Sequence, residues 1–278
     1  MKKLIIACNL LMVTFSIAAQ PAAFHIEKRG KGIPVIFLPG FGTPGSVWNE
    51  TIKNLDNNYQ THVVSYAGFN HLPAIKMPWY NTIKEELLAY IKKENLTGIY
   101  IVGHSMGGNL ATDLAAAMPQ RFKKVVIVDA LPCMRELMMP GVAASQLQYE
   151  SQYNKQLLEM KEAPFRATAK MMANSMTMDS VKADSIIQWM MIADRQTYVY
   201  GYTDLLKLDL REVLSKITTP VLILGASFPD REVIKMNFDK QYANLANKKI
   251  EIATNSRHFI MFDEPNWLYN SINTFFAK

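Results

Sequence analysis

The stretch that most constrains this chain runs from Ile99 to Ala115: Ile-Tyr-Ile-Val-Gly-His-Ser-Met-Gly-Gly-Asn-Leu-Ala-Thr-Asp-Leu-Ala. Ile99 to Val102 is a short apolar run of the kind a buried strand requires, and from Met106 to Ala117 apolar residues recur at helical spacing. Between them lies Gly103-His-Ser-Met-Gly107, a G-x-S-x-G pattern at the point where a strand must turn straight into a helix. So abrupt a turn strains the backbone at the serine and crowds its neighbours, and Gly103, Gly107 and Gly108 meet that demand for small residues. The helix that starts at Met106 aims free N–H groups and the positive end of its dipole at whatever Ser105 attacks. Five-residue patterns also arise by chance. Here the preceding strand and the following small-residue helix supply the context that the motif needs.

On these residues the chain resembles the α/β-hydrolase superfamily, specifically its compact branch with a helical cap. The resemblance implies an α/β fold: a mostly parallel central sheet flanked by helices, with a helical cap inserted after the strand at 125–128. The rest of the sequence reads in the same way. Ala22 to Lys28 alternates as an edge strand, and Ile33-Pro-Val-Ile-Phe-Leu38 is a continuous apolar run suited to burial on both faces of a parallel sheet. Thr61 to Ser65 is a further strand, Trp79 to Lys93 an amphipathic helix, and Val125 to Val128 the next buried strand. From Leu131 to Ile217 strand signals give way to helical periodicity, and ten of the 17 methionines lie between Met134 and Met191. Flexible, polarisable methionine suits a pocket for apolar groups of varied shape, and equally suits filling gaps in a small helical layer. Strands resume at Pro220 to Gly225 and Lys249 to Ala253; Arg231 to Leu245 and Glu264 to Phe276 read as helices. The expected division is a core of 20–130 and 218–278 with the insertion at 131–217.

A serine hydroxyl needs a base to take its proton as it attacks. In the superfamily the order along the chain is serine, acid, histidine. Of the five histidines only His258 follows the last strand, where its loop can fold back over the serine. His25 and His62 lie on early strands, His71 is in a loop and a possible pocket residue, and His104 is inside the elbow. Two aspartates compete for the acid. Asp230 follows the strand that ends at Gly225, at a spacing slightly longer than the commonest one, while Asp129 ends the strand 125–128, a position that some superfamily members use. Asp263 is too near His258 along the chain and is expected to cap the last helix. By resemblance, the loop Pro39-Gly-Phe-Gly-Thr-Pro-Gly-Ser-Val-Trp48 is the oxyanion loop, with proline at 39 where many relatives have histidine, and the N–H groups of Phe41 and Met106 are the oxyanion donors. Gly40, His104 and Trp48 are the candidates to border the substrate.

Lys2 and Lys3, the apolar run Leu4 to Ile17 and the small residues of Ser16-Ile-Ala-Ala-Gln20 form the pattern of a signal peptide at 1–19, cleaved after Ala18 or Ala19. The run is shorter than the ~20 residues of a bilayer span, and Cys8 comes too early for a lipoprotein signal. The expectation is therefore an exported protein, periplasmic or secreted, with no stable membrane insertion. Its sole cysteine is then Cys133, which excludes an internal disulfide. The lysines are scattered, so no nucleic-acid partner is expected. No metal-ligand spacing such as H-E-x-x-H occurs, and no cofactor is expected.

These features point to a serine hydrolase that cleaves an ester or similar acyl bond of a small-molecule substrate through an acyl-enzyme. A serine nucleophile argues against dehalogenase or epoxide hydrolase chemistry, for which the resembling families carry aspartate. Acyl transfer, perhydrolysis, C–C hydrolysis and aminopeptidase action use the same triad, and a non-catalytic binding scaffold uses the same fold. An aminopeptidase would need acidic groups such as Glu136, Glu150, Glu159 or Glu162 at the site.

Overall fold

The computed structural model describes residues 21–56 and 59–278; the expected signal peptide lies outside the described residues. Seven strands form one sheet: β1 (Phe24–Arg29), β2 (Ile33–Leu38), β3 (Tyr59–Tyr66), β4 (Ile99–His104), β5 (Phe122–Val128), β6 (Val221–Gly225) and β7 (Lys248–Ile252). Their order is β1-β3-β2-β4-β5-β6-β7. Only β1 runs antiparallel, against β3, and every other pairing is parallel. This is the expected mostly parallel α/β sheet. The alternating apolar segments produce it because each parallel pair needs a crossover that returns the chain to the same end.

Strand period places successive side chains on opposite faces, and the sheet has a core on each. Ile36, Leu38, Ile99, Ile101, Val125, Ile127, Val221 and Ile223 belong to one core. It is covered by α2 (Trp79–Lys93) and α3 (Met106–Ala117). The alternate residues Val35, Phe37, Tyr100, Val102, Val126, Val128, Leu222 and Leu224 belong to the other. The short α1 (Asn49–Lys53), the helical turn before it and the last helix, α11 (Pro265–Ala277), cover that face. Continuous apolar strands were therefore the right signature of burial on both sides.

Between β5 and β6 the chain forms only helices: α4 (Met134–Met138), α5 (Gln152–Glu159), α6 (Glu162–Met176), α7 (Ser180–Ile192) and α8 (Arg195–Lys207), with short helical turns. Asp179 and Asp194 cap α7 and α8, accepting hydrogen bonds from first-turn N–H groups. After β6 come α9 (Arg231–Gln241), then β7 and the single turn α10 (Ile260–Asp263). Lys124, which emerges from β5, donates to the carbonyls of Phe275 and Phe276 and so ties the end of α11 to the sheet. No helix among the described residues is long and apolar enough to cross a membrane.

Candidate active site

Ser105 sits where β4 becomes α3, with φ 54° and ψ −124°. A positive φ on a residue with a Cβ costs on the order of 1–3 kcal/mol, which the surroundings must hold in place. They do so through close backbone packing. The Ser105 N–H donates to the Val128 carbonyl at 2.8 Å, and its own carbonyl accepts from Gly108 at 2.8 Å. A Cβ on Gly103 would fall 2.1 Å from the Gly107 carbonyl oxygen, and one on Gly107 would fall 2.2 Å from that of Leu38. The two glycines flanking the motif are thus fixed by main chain against main chain.

His258 follows β7, in the loop before α10. Its Nδ1 lies 2.6 Å from Asp129 Oδ2. A carboxylate only accepts, so Nδ1 carries the ring proton and Nε2 is left as the acceptor. Asp129 stands directly after β5 at φ 45°, and its other oxygen, Oδ1, accepts the Ala226 N–H at 2.8 Å. One carboxylate therefore joins the ends of β5 and β6 to the histidine. Ser105 and His258 border the same cavity, and no hydrogen bond joins them in this structure.

Asp230 is not part of this arrangement. It is exposed, and its carboxylate accepts the N–H groups of Glu232 and Val233 as the N-cap of α9. The helix starts at the next residue, so the side chain is committed to the helix end. Trp48 is also displaced from its expected place: it is fully buried in the second core, its ring 5.7 Å from that of Phe37, and does not border the cavity. His71 is exposed at a positive-φ turn away from the cavity. Asp263 does not cap α11, which Glu264 precedes. Its Oδ2 accepts the Arg257 N–H at 2.8 Å, while Oδ1 accepts the Thr177 hydroxyl at 2.6 Å and the Met178 N–H at 2.9 Å. The loop that carries His258 is thereby pinned to the α6–α7 junction, and the Phe259 N–H donates to the Met176 carbonyl as well.

His104 is wholly buried against this loop. Its Nε2 lies 3.0 Å from the His258 carbonyl oxygen, which makes Nε2 the protonated nitrogen, and its Nδ1 has no partner. Burial, with the neighbouring His258 ring second, pushes its pKa well below the usual histidine range, so it stays neutral. A Cβ on Gly40 would lie 2.9 Å from that Nδ1, which leaves the loop after β2 room for glycine only.

The cavity has a volume of about 310 Å³. Gly40, Phe41, His104, Ser105, Met106 and His258 line its floor. The Phe41 and Met106 N–H groups donate to no protein acceptor among the described residues. Phe41 is held by aromatic contacts, its ring 4.9 Å from Phe69, 5.4 Å from Trp79 and 5.7 Å from Tyr198. The roof comes from the helices between β5 and β6, including Met134, Met172, Met176 and Met190, so both uses of methionine meet at one surface. Trp189 and the α8 residues Tyr198, Tyr202 and Leu205 complete the wall, and no motif marked them. The available signal was the helical spacing of 198, 202 and 205. Among the described residues no aspartate, glutamate, lysine or arginine borders the cavity. Glu136 is instead paired with Arg211 and Lys240, and Glu150 accepts the Tyr200 hydroxyl.

The Alpha/beta hydrolase family matches the chain over residues 35–270. Among similar proteins is the pimeloyl-[acyl-carrier protein] methyl ester esterase of Vibrio vulnificus (strain YJ016), 26% identical over 258 residues that cover 91% of this chain and 98% of that one. The esterase of the same name from Aeromonas hydrophila is 30% identical over 124 residues, 42% of this chain and 46% of its own. Among solved structures, an esterase (EaEST) from Exiguobacterium antarcticum has a TM-score of 0.77 at 19% identity, covering 94% of this chain and 100% of that one. A bromoperoxidase from Bacillus anthracis has a TM-score of 0.75 at 18% identity, covering 94% and 99%. The solved structures speak for the fold, and the family match spans most of the sequence. The chain belongs to the alpha/beta hydrolase family.

Proposed function

We propose that the protein hydrolyses a carboxylic ester with an uncharged, largely apolar acyl group, using Ser105 as nucleophile, His258 as base and Asp129 as the acid that orients it. The observation that carries this reading is the His258–Asp129 pair, 2.6 Å apart, beside Ser105 in a cavity bordered by no aspartate, glutamate, lysine or arginine among the described residues. Ser105 Oγ attacks the carbonyl while His258 Nε2 takes its proton, and the Phe41 and Met106 N–H groups receive the oxyanion. Each such donor is worth about 3 kcal/mol in the transition state. His258 then returns the proton to the departing alcohol and activates the water that releases the acid from Ser105. Asp129 keeps the ring in the tautomer that this cycle needs.

A free carboxylate or ammonium in the cavity would lie unpaired in apolar surroundings, which argues against dicarboxylate monoesters and against an aminopeptidase. The relatives named for a methyl ester make methanol the first leaving group to test. The export reading rests on the pattern from Lys2 to Ala19.

The test is turnover of neutral methyl and p-nitrophenyl esters by the purified protein and by Ser105→Ala, beside labelling by a fluorophosphonate. Turnover and labelling that both disappear in Ser105→Ala support the reading. A folded wild type that turns over no ester and takes no label overturns it.

A further inference from the structure

Trp189, on α7, borders the cavity that holds Ser105, and it also borders a second cavity of about 270 Å³. Among the described residues it is the one common to the two walls. The second cavity is bounded by Val47, Thr51, Met261, Phe262 and Tyr269, with the exposed Glu50 and Lys182 also on its wall. The partition between the two is aromatic. Phe259, on the first cavity, stacks on Phe262, on the second, with ring centroids 5.1 Å apart and planes 5° from parallel. The Trp189 ring meets Phe262 at 6.4 Å. Phe259 and Phe262 are fixed by backbone: the Phe259 N–H donates to Met176, and the Phe262 N–H donates to Phe259. Trp189 is different, because it is only half-buried and its side chain makes no hydrogen bond among the described residues. It fills space by bulk alone.

We infer that Trp189 is a specificity-determining residue, the stop that sets the longest ester the enzyme accepts. This rests on the ester-hydrolase reading above. With tryptophan in place the bound substrate ends within about 310 Å³, and a shorter side chain joins that space to the further 270 Å³. Val47, Met261 and Phe262 would then cover the end of an alkyl tail. Each additional methylene removed from water is worth about fourfold in binding. Three of them therefore exceed a tenfold gain with margin to spare.

The experiment measures kcat/KM for the full chain and for Trp189→Ala, Trp189→Leu and Trp189→Phe on two series. One lengthens the acyl group of a p-nitrophenyl ester from acetate to palmitate; the other lengthens the alcohol of an acetate ester. In Trp189→Ala the optimum should move to longer chains in one series, with the long-to-short ratio of kcat/KM rising at least tenfold. Trp189→Leu should follow it, and Trp189→Phe should fall between. An optimum unmoved in both series overturns the inference. So does one that moves equally in both, the mark of a cavity that has merely slackened. A wild type inert on every ester overturns the underlying hydrolase reading instead, and that result comes from the unmodified protein. Fluorophosphonate labelling of each variant shows that the Ser105 site still forms.

Discussion

Replacing Asp129 by Asn keeps the size of the side chain and removes its charge, and the structure decides which way the amide faces. Asp129 accepts from two groups, the Ala226 N–H at 2.8 Å and His258 Nδ1 at 2.6 Å. The Ala226 N–H can only donate, so the amide oxygen of Asn must turn toward it. The NH2 then points at His258 Nδ1, which is forced to accept. The ring proton moves to Nε2, facing Ser105, and the base can no longer take a proton there. In the opposite orientation the NH2 meets the Ala226 N–H, and the two buried donors cost about 1–3 kcal/mol. That leaves roughly one molecule in six to one in 160 in the competent tautomer. These molecules also lack the negative charge that stabilises the imidazolium, so the expected fall in kcat is about 10³–10⁴-fold, the larger value equivalent to about 5.5 kcal/mol. Steady-state kinetics on a p-nitrophenyl ester reads it, with Asp230→Asn as the companion. Asp230 caps α9 at the surface and Asn caps a helix about as well as Asp, so its change should leave kcat within about threefold and cost no more than a few tenths of a kcal/mol of stability, from the lost charge at the helix end. If Asp129→Asn kept a tenth of the wild-type kcat while Asp230→Asn abolished turnover, the assignment of the acid would be refuted.

Gly107→Ala sets a Cβ 2.2 Å from the Leu38 carbonyl oxygen and 2.6 Å from that of Pro39, so the loop that carries Phe41 must shift. The expected cost is about 3 kcal/mol, or roughly 6–12 °C in Tm, with kcat at least about tenfold lower; an unchanged melting curve would contradict the packing described. His62, buried on β3 between Tyr90 and Gln60, has its pKa pushed down to about 4, chiefly by burial and next by the Lys28 ammonium, with Glu94 opposing. The unfolded chain takes up this proton near pH 6.5 and the folded one only near pH 4. Stability from this group is therefore full above pH 6.5 and declines as pH falls through that window. The loss of Tm between pH 7 and pH 4.5 should be smaller in His62→Gln than in wild type, and equal losses would show that His62 carries no such linkage.

The elbow was legible because its requirement is local. Gly103 and Gly107 meet main chain at little more than 2 Å, and no compensating change elsewhere could relax that. His258 was singled out by the superfamily order of serine, acid and histidine, since it alone follows the last strand, and the structure adds the bond from its Nδ1 to Asp129. The choice between the aspartates was not settled by position, because β5 and β6 are neighbours in register, Val128 opposite Leu224, and both aspartates leave the same end of the sheet. What separates them is the use of each side chain. Asp230 is followed at once by a helix with Glu232 in its first turn, a capping signal already present in the sequence. Asp129 instead occupies a left-handed conformation that aspartate tolerates better than most residues. Trp48 was misplaced because a loop rich in glycine and proline gives no sign of which side chain turns inward to the core. The roof of the cavity was legible as helices but not as a surface. Helical periodicity marks an apolar face and leaves open whether it meets the sheet, another helix or a ligand.

The two oxygens of the Asp263 carboxylate hold different bodies: one takes the N–H beside the base, the other takes Thr177 and Met178 at the foot of the roof. Lifting the roof would have to break the Oδ1 bonds to Thr177 and Met178 and the Phe259 N–H bond to Met176, whereas the Oδ2 bond to the Arg257 N–H and the Asp129 bond to His258 both lie on the core side. The anchor of the roof and the seat of the base therefore share one carboxylate without sharing one set of bonds, and a change of charge at Asp263 would be felt by both.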